Sequence, residues 1–127
     1  MSVLEISRSQ SNDDALLIGK AVLRAAGELD VPARALGEII GVSEATISRL
    51  KSGSAALETG SKPYELALLF LRLFRSLDAI IGGDAGTARQ WLRHENSALG
   101  GVPLILIRRI TGLVDVVAYL DSRRALI

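Results

Sequence analysis

The stretch ARALGEIIGVSEATISRLKS, residues 33–52, decides how the first half of this chain folds. Leu36, Ile39 and Ile40 recur at helical spacing, and Gly41 follows as a residue free to take positive φ. Val42 turns back toward the core, and Ser43 offers its hydroxyl as the N-cap of a second helix. In that helix Ile47 and Leu50 point inward, while Glu44, Thr46, Ser48, Arg49 and Lys51 are left to solvent. Gly53 ends it. Two short amphipathic helices around one tight turn make a helix-turn-helix, whose second helix enters the DNA major groove.

A plain helical hairpin can also place a glycine between two apolar stripes. The joint occurrence of Gly41, Val42, a capping Ser43 and inward Ile47 and Leu50 narrows the choice toward a DNA reader. Short side chains on the outer face let the backbone approach base edges, and Arg49 and Lys51 can reach bases or phosphates. The DNA-binding candidates are therefore Ser43, Glu44, Ala45, Thr46, Ser48, Arg49 and Lys51.

Charge complicates that reading. The chain has 127 residues and a net charge of +1. Residues 1–60 hold six Lys or Arg against eight Asp or Glu, a balance of −2, whereas residues 61–127 hold nine against six, a balance of +3. The half with the DNA reader is the acidic one, against what phosphate contact demands. Either dimerisation strengthens DNA binding, or the motif is vestigial.

The length suits one domain or two small helical subdomains, with a core that needs no staples. There is no cysteine, so disulfides and thiolate metal sites are excluded and the reducing cytoplasm is the expected home. The opening MSVLEISRSQSNDDA lacks the charged-then-apolar order of a secretion signal. The longest apolar run, Leu66 to Leu71, is six residues, far short of a membrane span. Hydrophobic residues are 49% of the chain, yet only 4% is aromatic. That aliphatic surplus suggests apolar surface buried between chains as well as within one.

Residues 1–13 are polar, without clear periodicity, and read as a flexible arm. Residues 14–60 read as the helix-turn-helix domain. Its first helix runs from Asp14 to Leu29, with Leu16, Gly19, Leu23 and Ala26 on one side and Val22 and Leu29 beside them; Asp30 and Pro32 break it. Ser52 to Ser61, with two glycines and several serines, reads as a linker. Residues 61–127 form a second subdomain. Ser61 and Pro63 start a long helix reaching about Ile81, apolar over most of its circumference. Asp84 caps a short helix to about His94, with Trp91 and Leu92 facing in. Pro103 opens a further helix ended by Gly112, although Leu104 to Ile107 could also be a strand. A last helix runs from Leu113 to about Arg124. The fold expected is all-α.

The string WLRHENSALGGVPLILIRRITGLVDVVAYL resembles the toxin-binding domain of Xre/MbcA/ParS-type antitoxins. The matching positions are Trp91, Leu92, Asn96, Leu99, Gly100, Gly101, Pro103, Leu104, Gly112, Val116 and Leu120, and an Xre-like helix-turn-helix lies upstream as in that family. The resemblance covers about residues 15 to 124. It implies an antitoxin that neutralises a RES-domain toxin, an enzyme acting on NAD as a glycohydrolase, phosphorylase or ADP-ribosyltransferase. It also implies repression of the shared operon by binding operator DNA. Two departures matter: His94-Glu95 precedes Asn96 where family members commonly have a proline, and Asp121 to Ile127 lacks a glycine after the last helix.

Read on their own, Trp91 is a core anchor and Gly100-Gly101 a permissive turn. His94, the only histidine, suits a helix end better than a metal site. No nucleophile triad, no spaced carboxylate pair and no phosphate loop is apparent, so neither an enzyme nor a cofactor is expected. Gly82-Gly83 lacks the further glycines and lysine of a phosphate cradle. The remaining candidate is the tail. Arg123, Arg124, Leu126 and Ile127, with Tyr119 behind them, are the expected toxin contacts. The apolar side chains would fill the toxin's NAD cleft and an arginine would pair with an acidic group there; a frayed, solvated tail is the plainer alternative. The protein expected is a cytoplasmic homodimeric antitoxin with no membrane association. The rival is a stand-alone transcriptional regulator whose second half only dimerises.

Overall fold

The computed structural model describes residues 2–126, and among them there are seven helices and no strand. They are α1 (Val3–Glu28), α2 (Ala33–Ile40), α3 (Glu44–Ser52), α4 (Lys62–Ile80), α5 (Ala85–Arg93), α6 (Pro103–Leu106) and α7 (Ile110–Arg124). The all-α expectation holds, including over residues 103–107, where a strand was the alternative.

Helix α1 begins at Val3 and so runs through most of residues 1–13, which the sequence reads as a flexible arm; Met1 lies outside the described residues. The helix starts at Val3 because Ser2 and Glu5 form a capping box: the Ser2 hydroxyl accepts from the Glu5 amide at 3.2 Å, and the Glu5 carboxylate accepts from the Ser2 amide at 2.9 Å. Its core face also differs. Ala15, Gly19, Val22, Ala25 and Ala26 are buried, while Leu16 is exposed. With this face α1 packs on α3 and α4.

The stretch between α3 and α4 is anchored at two points. Leu57 is buried, and the Thr59 hydroxyl donates to the Ser11 carbonyl at 2.8 Å. Helix α4 packs on α1, α2, α5 and α7, and one continuous core runs from Val22 through Ile40, Phe70 and Leu73 to Leu92, Leu113 and Leu120. The two halves thus share α4 as a central post, which explains its apolar circumference.

Gly112 also falls elsewhere than expected. Helix α6 has only four residues, Arg109 is extended, and Gly112 sits in the first turn of α7. The Leu106 backbone crosses so near that a Cβ at residue 112 would overlap its carbonyl group. Gly112 is there for a close approach, not to end a helix. Ile107 is fully buried in this corner, whereas Ile105 and Ile110 remain exposed.

Candidate functional site

The helix-turn-helix is held by backbone geometry at two glycines. Gly41 takes φ +78° at the end of α2. Gly37, which the sequence pattern did not single out, matters as much: a Cβ there would lie 2.6 Å from the Val42 carbonyl oxygen. The turn folds back onto α2 only because residue 37 has no side chain. Ser43 caps α3, accepting from the Thr46 amide at 3.1 Å, and its hydroxyl lies 2.9 Å from that of Thr46. Ile47 and Leu50 are buried, so α3 presents its other side outward.

On that outward side Ser43, Glu44, Ala45, Ser48, Arg49 and Lys51 are exposed and Thr46 is half-buried. All seven DNA-binding candidates lie on or at the start of one nine-residue helix. Among the described residues neither Arg49 nor Lys51 is engaged in an ion pair. At the far end the Arg49 carbonyl accepts from the Ser54 and Ala55 amides at 2.9 and 3.2 Å and from the Ser52 hydroxyl at 3.1 Å, so the helix stops firmly at Gly53.

The acidic balance of this half changes once the chain is folded. Arg89 donates to the Glu28 carbonyl at 3.0 Å, and Arg93 donates to the carbonyls of Leu29 at 3.1 Å and Asp30 at 2.7 Å. Both arginines come from α5 and supply the end of α1 with the cations it lacks in its own last turn. Arg108 pairs with Glu38 at 3.4 Å. Three arginines of the second half therefore sit on the first.

The second constellation joins α5 to α7. The rings of Trp91 and Tyr119 stack with centroids 6.4 Å apart and planes 18° from parallel, and the Arg123 guanidinium carbon lies 5.2 Å from the Tyr119 centroid. Trp91 and Tyr119 are half-buried, and Leu92 beside them is fully buried. The loop after α5 closes on Asn96. Its side-chain oxygen accepts from the Leu99 amide at 3.2 Å, its carbonyl accepts from the Gly100 amide at 2.9 Å, and its amide donates to the Gly101 carbonyl at 2.9 Å. Gly100 takes φ +77° at this turn, and a Cβ on Gly101 would come within 3.2 Å of the Leu106 side chain. Pro103 is buried at the start of α6. His94 closes α5, its ring Nδ1 lying 2.7 Å from the Gln90 carbonyl oxygen.

A third feature was not read from the sequence. Ser76 is a fully buried polar residue, and its hydroxyl donates to Asp121 at 2.8 Å; the other carboxylate oxygen of Asp121 pairs with Arg72 at 2.7 Å. This clamp orients the last turn of α7. Beyond it Arg123, Arg124 and Leu126 are exposed, Leu126 to 78%. Ile127 lies outside the described residues.

Two family models match. Residues 12–72 match the antitoxin Xre-like helix-turn-helix domain, and residues 76–125 match the antitoxin Xre/MbcA/ParS C-terminal toxin-binding domain. The chain belongs to the Xre/MbcA/ParS-type antitoxins. Among curated proteins no relative matches. In this antitoxin the first match runs well into α4, in keeping with the post that both halves share. The two domains of the antitoxin imply a toxin partner and DNA, and they point to a regulatory protein rather than an enzyme. Among the described residues no cluster of acidic or histidine side chains could hold a metal, and no helix is long and apolar enough to cross a membrane.

Proposed function

We propose that this antitoxin neutralises a RES-domain toxin by occluding its NAD cleft, and that it represses its own operon as a cytoplasmic homodimer. The observation that carries the first part is the stack of Trp91, Tyr119 and Arg123 at the base of an exposed tail. A tail fixed at its root loses less conformational freedom on entering a cleft than a free one, so more of its contact energy appears as affinity. Tyr119 and Arg123 form the root, and Arg124, Leu126 and Ile127 are the inserting residues. Arg124 is the guanidinium free to pair with an acidic group of the toxin. Inhibition is steric, and no residue of this chain takes part in chemistry.

For operator recognition, Arg49 and Lys51 on α3 reach bases or phosphates while Ser43, Glu44, Ala45, Thr46 and Ser48 face the groove floor. The exposed Arg49 and Lys51, neither engaged in an ion pair among the described residues, favour a working DNA reader over a vestigial one. The decisive experiment is co-expression with the toxin of the same operon. Deleting residues 122–127 is expected to abolish growth rescue while leaving operator binding in place. Full rescue by the truncated chain would remove the tail from the mechanism.

A further inference from the structure

The N-terminal turns of α1 project past the core. Buried residues on this helix begin only at Ala15, so the turns before it extend about 18 Å at 1.5 Å per residue. A helical segment of this length, with little to pack against, is marginal in water. It also shows its apolar side chains to solvent: Val3 is 83% exposed and Leu4 69%. Beneath it, between α1 and the loop after α3, lies an open groove of about 570 Å³ whose lining includes Leu4, Ser7, Arg8, Ser11, Leu57 and Glu58. Its walls are fixed by buried Leu57 and by the hydrogen bond from Thr59 to the Ser11 carbonyl.

Leu4, Ser7, Arg8 and Ser11 follow one another at the three- and four-residue steps that place them on one face of the helix. The serines are short enough for another helix to come close. Arg8 and Glu58 line the same groove, and among the described residues neither is in an ion pair. An isologous contact requires a single surface that carries both a protrusion and a cleft, and both signs of charge. This surface carries an apolar tip, an empty cleft, one unpaired cation and one unpaired anion.

We infer that a second copy of this chain fills the groove. Two α1 helices cross in antiparallel fashion about a twofold axis. Each places its Val3–Leu4–Ile6 end in the other's cleft, and Arg8 of each pairs with Glu58 of the other. The inference deepens the proposed function by assigning the surface of its homodimer, and it rests on that reading only for the expectation that a dimer exists. The contact would set the spacing of the two α3 helices on an inverted repeat.

Sedimentation velocity of the full chain tests it, with far-UV circular dichroism to confirm helix content. Leu4→Asp is expected to weaken dimerisation about tenfold or more. Arg8→Glu and Glu58→Arg should each weaken it, and the two together should restore it, a recovery that a folding defect cannot mimic. A monomeric wild-type chain, an unchanged dimer in Leu4→Asp, or a charge reversal without recovery overturns the assignment. So does protection of the groove by the toxin in place of a second copy. Growth rescue separates this from the functional reading: a monomeric Leu4→Asp chain that still neutralises toxin supports the dimer surface and leaves the antitoxin mechanism intact. A wild-type dimer that silences no toxin overturns the mechanism alone.

Discussion

Trp91 and Tyr119 stack across α5 and α7 with their ring planes 18° from parallel, and Arg123 packs over Tyr119, so the root of the exposed tail is tied to the toxin-binding domain's single tryptophan. Such aromatic pairs contribute about 0.5–1.5 kcal/mol beyond their buried area, and an exposed cation over a ring about 0.5–1 kcal/mol. Tyr119→Ala should therefore weaken toxin binding through a loosened tail while the fold persists. Calorimetric titration of toxin checks this, with Trp91 fluorescence reporting the lost stack. Unchanged affinity would mean that the tail needs no fixed root.

Gly37 predicts a different defect. A side chain there meets the Val42 carbonyl at 2.6 Å, so the turn must open. Gly37→Ala is expected to cost about 1–3 kcal/mol of stability, as overpacking generally does, and to displace α3 from the groove. Gly53→Ala has open space around its Cβ but a left-handed φ of +80°, so it should fray the end of α3 without moving its start. Chemical denaturation and gel-shift assays on both variants distinguish the two effects.

Arg93 couples the halves. Its guanidinium caps the carbonyls of Leu29 and Asp30 at the end of α1, and Arg93→Ala should cost about 1.5–3 kcal/mol, the range for a hydrogen bond to a charged group. Arg93→Lys should recover only part of this, because an ammonium is a single nitrogen without the planar fork that presents separate donors to the two carbonyls. Thermal unfolding of the three proteins supplies the measurement.

Asp121 holds Ser76, and Asp121→Ala would leave a hydroxyl buried without a partner. The expected cost is about 1–3 kcal/mol. The double variant Ser76→Ala with Asp121→Ala should be less unstable than the sum of the single changes. Additive losses in that cycle would show that the two side chains are not coupled.

Asp84 sets a pH response. Its hydrogen bonds from the Thr87 hydroxyl and amide at the start of α5 hold its carboxyl below the ordinary value of 3.8. A depressed carboxyl stabilises the fold above its unfolded value, and that contribution disappears as pH falls through the folded one. Loosening of α5, read by Trp91 fluorescence, is therefore expected below pH 3.8, and Asp84→Asn should lack this acid transition.

The helix-turn-helix was legible because it is local: apolar spacing, a glycine and a capping serine all fall within twenty residues, and each acts on its neighbours. The loop around Asn96 was legible for the same reason, since its bonds reach no further than Gly101. The start of α1 was also within reach, through the Ser2–Glu5 capping signature, although its polar composition argued the other way. Gly37 and Gly112 could not be read in this manner. Their requirement comes from a backbone that crosses only after folding, at Val42 and Leu106.

Charge shows the division best. Counting along the chain makes the DNA-reading half acidic, and only the packed structure lays Arg89, Arg93 and Arg108 upon it. Helical periodicity and capping act over a few residues and are written in order along the chain. Electrostatic fields and close backbone contacts depend on distance in space, and space is ordered only once α4 has drawn both halves onto one core.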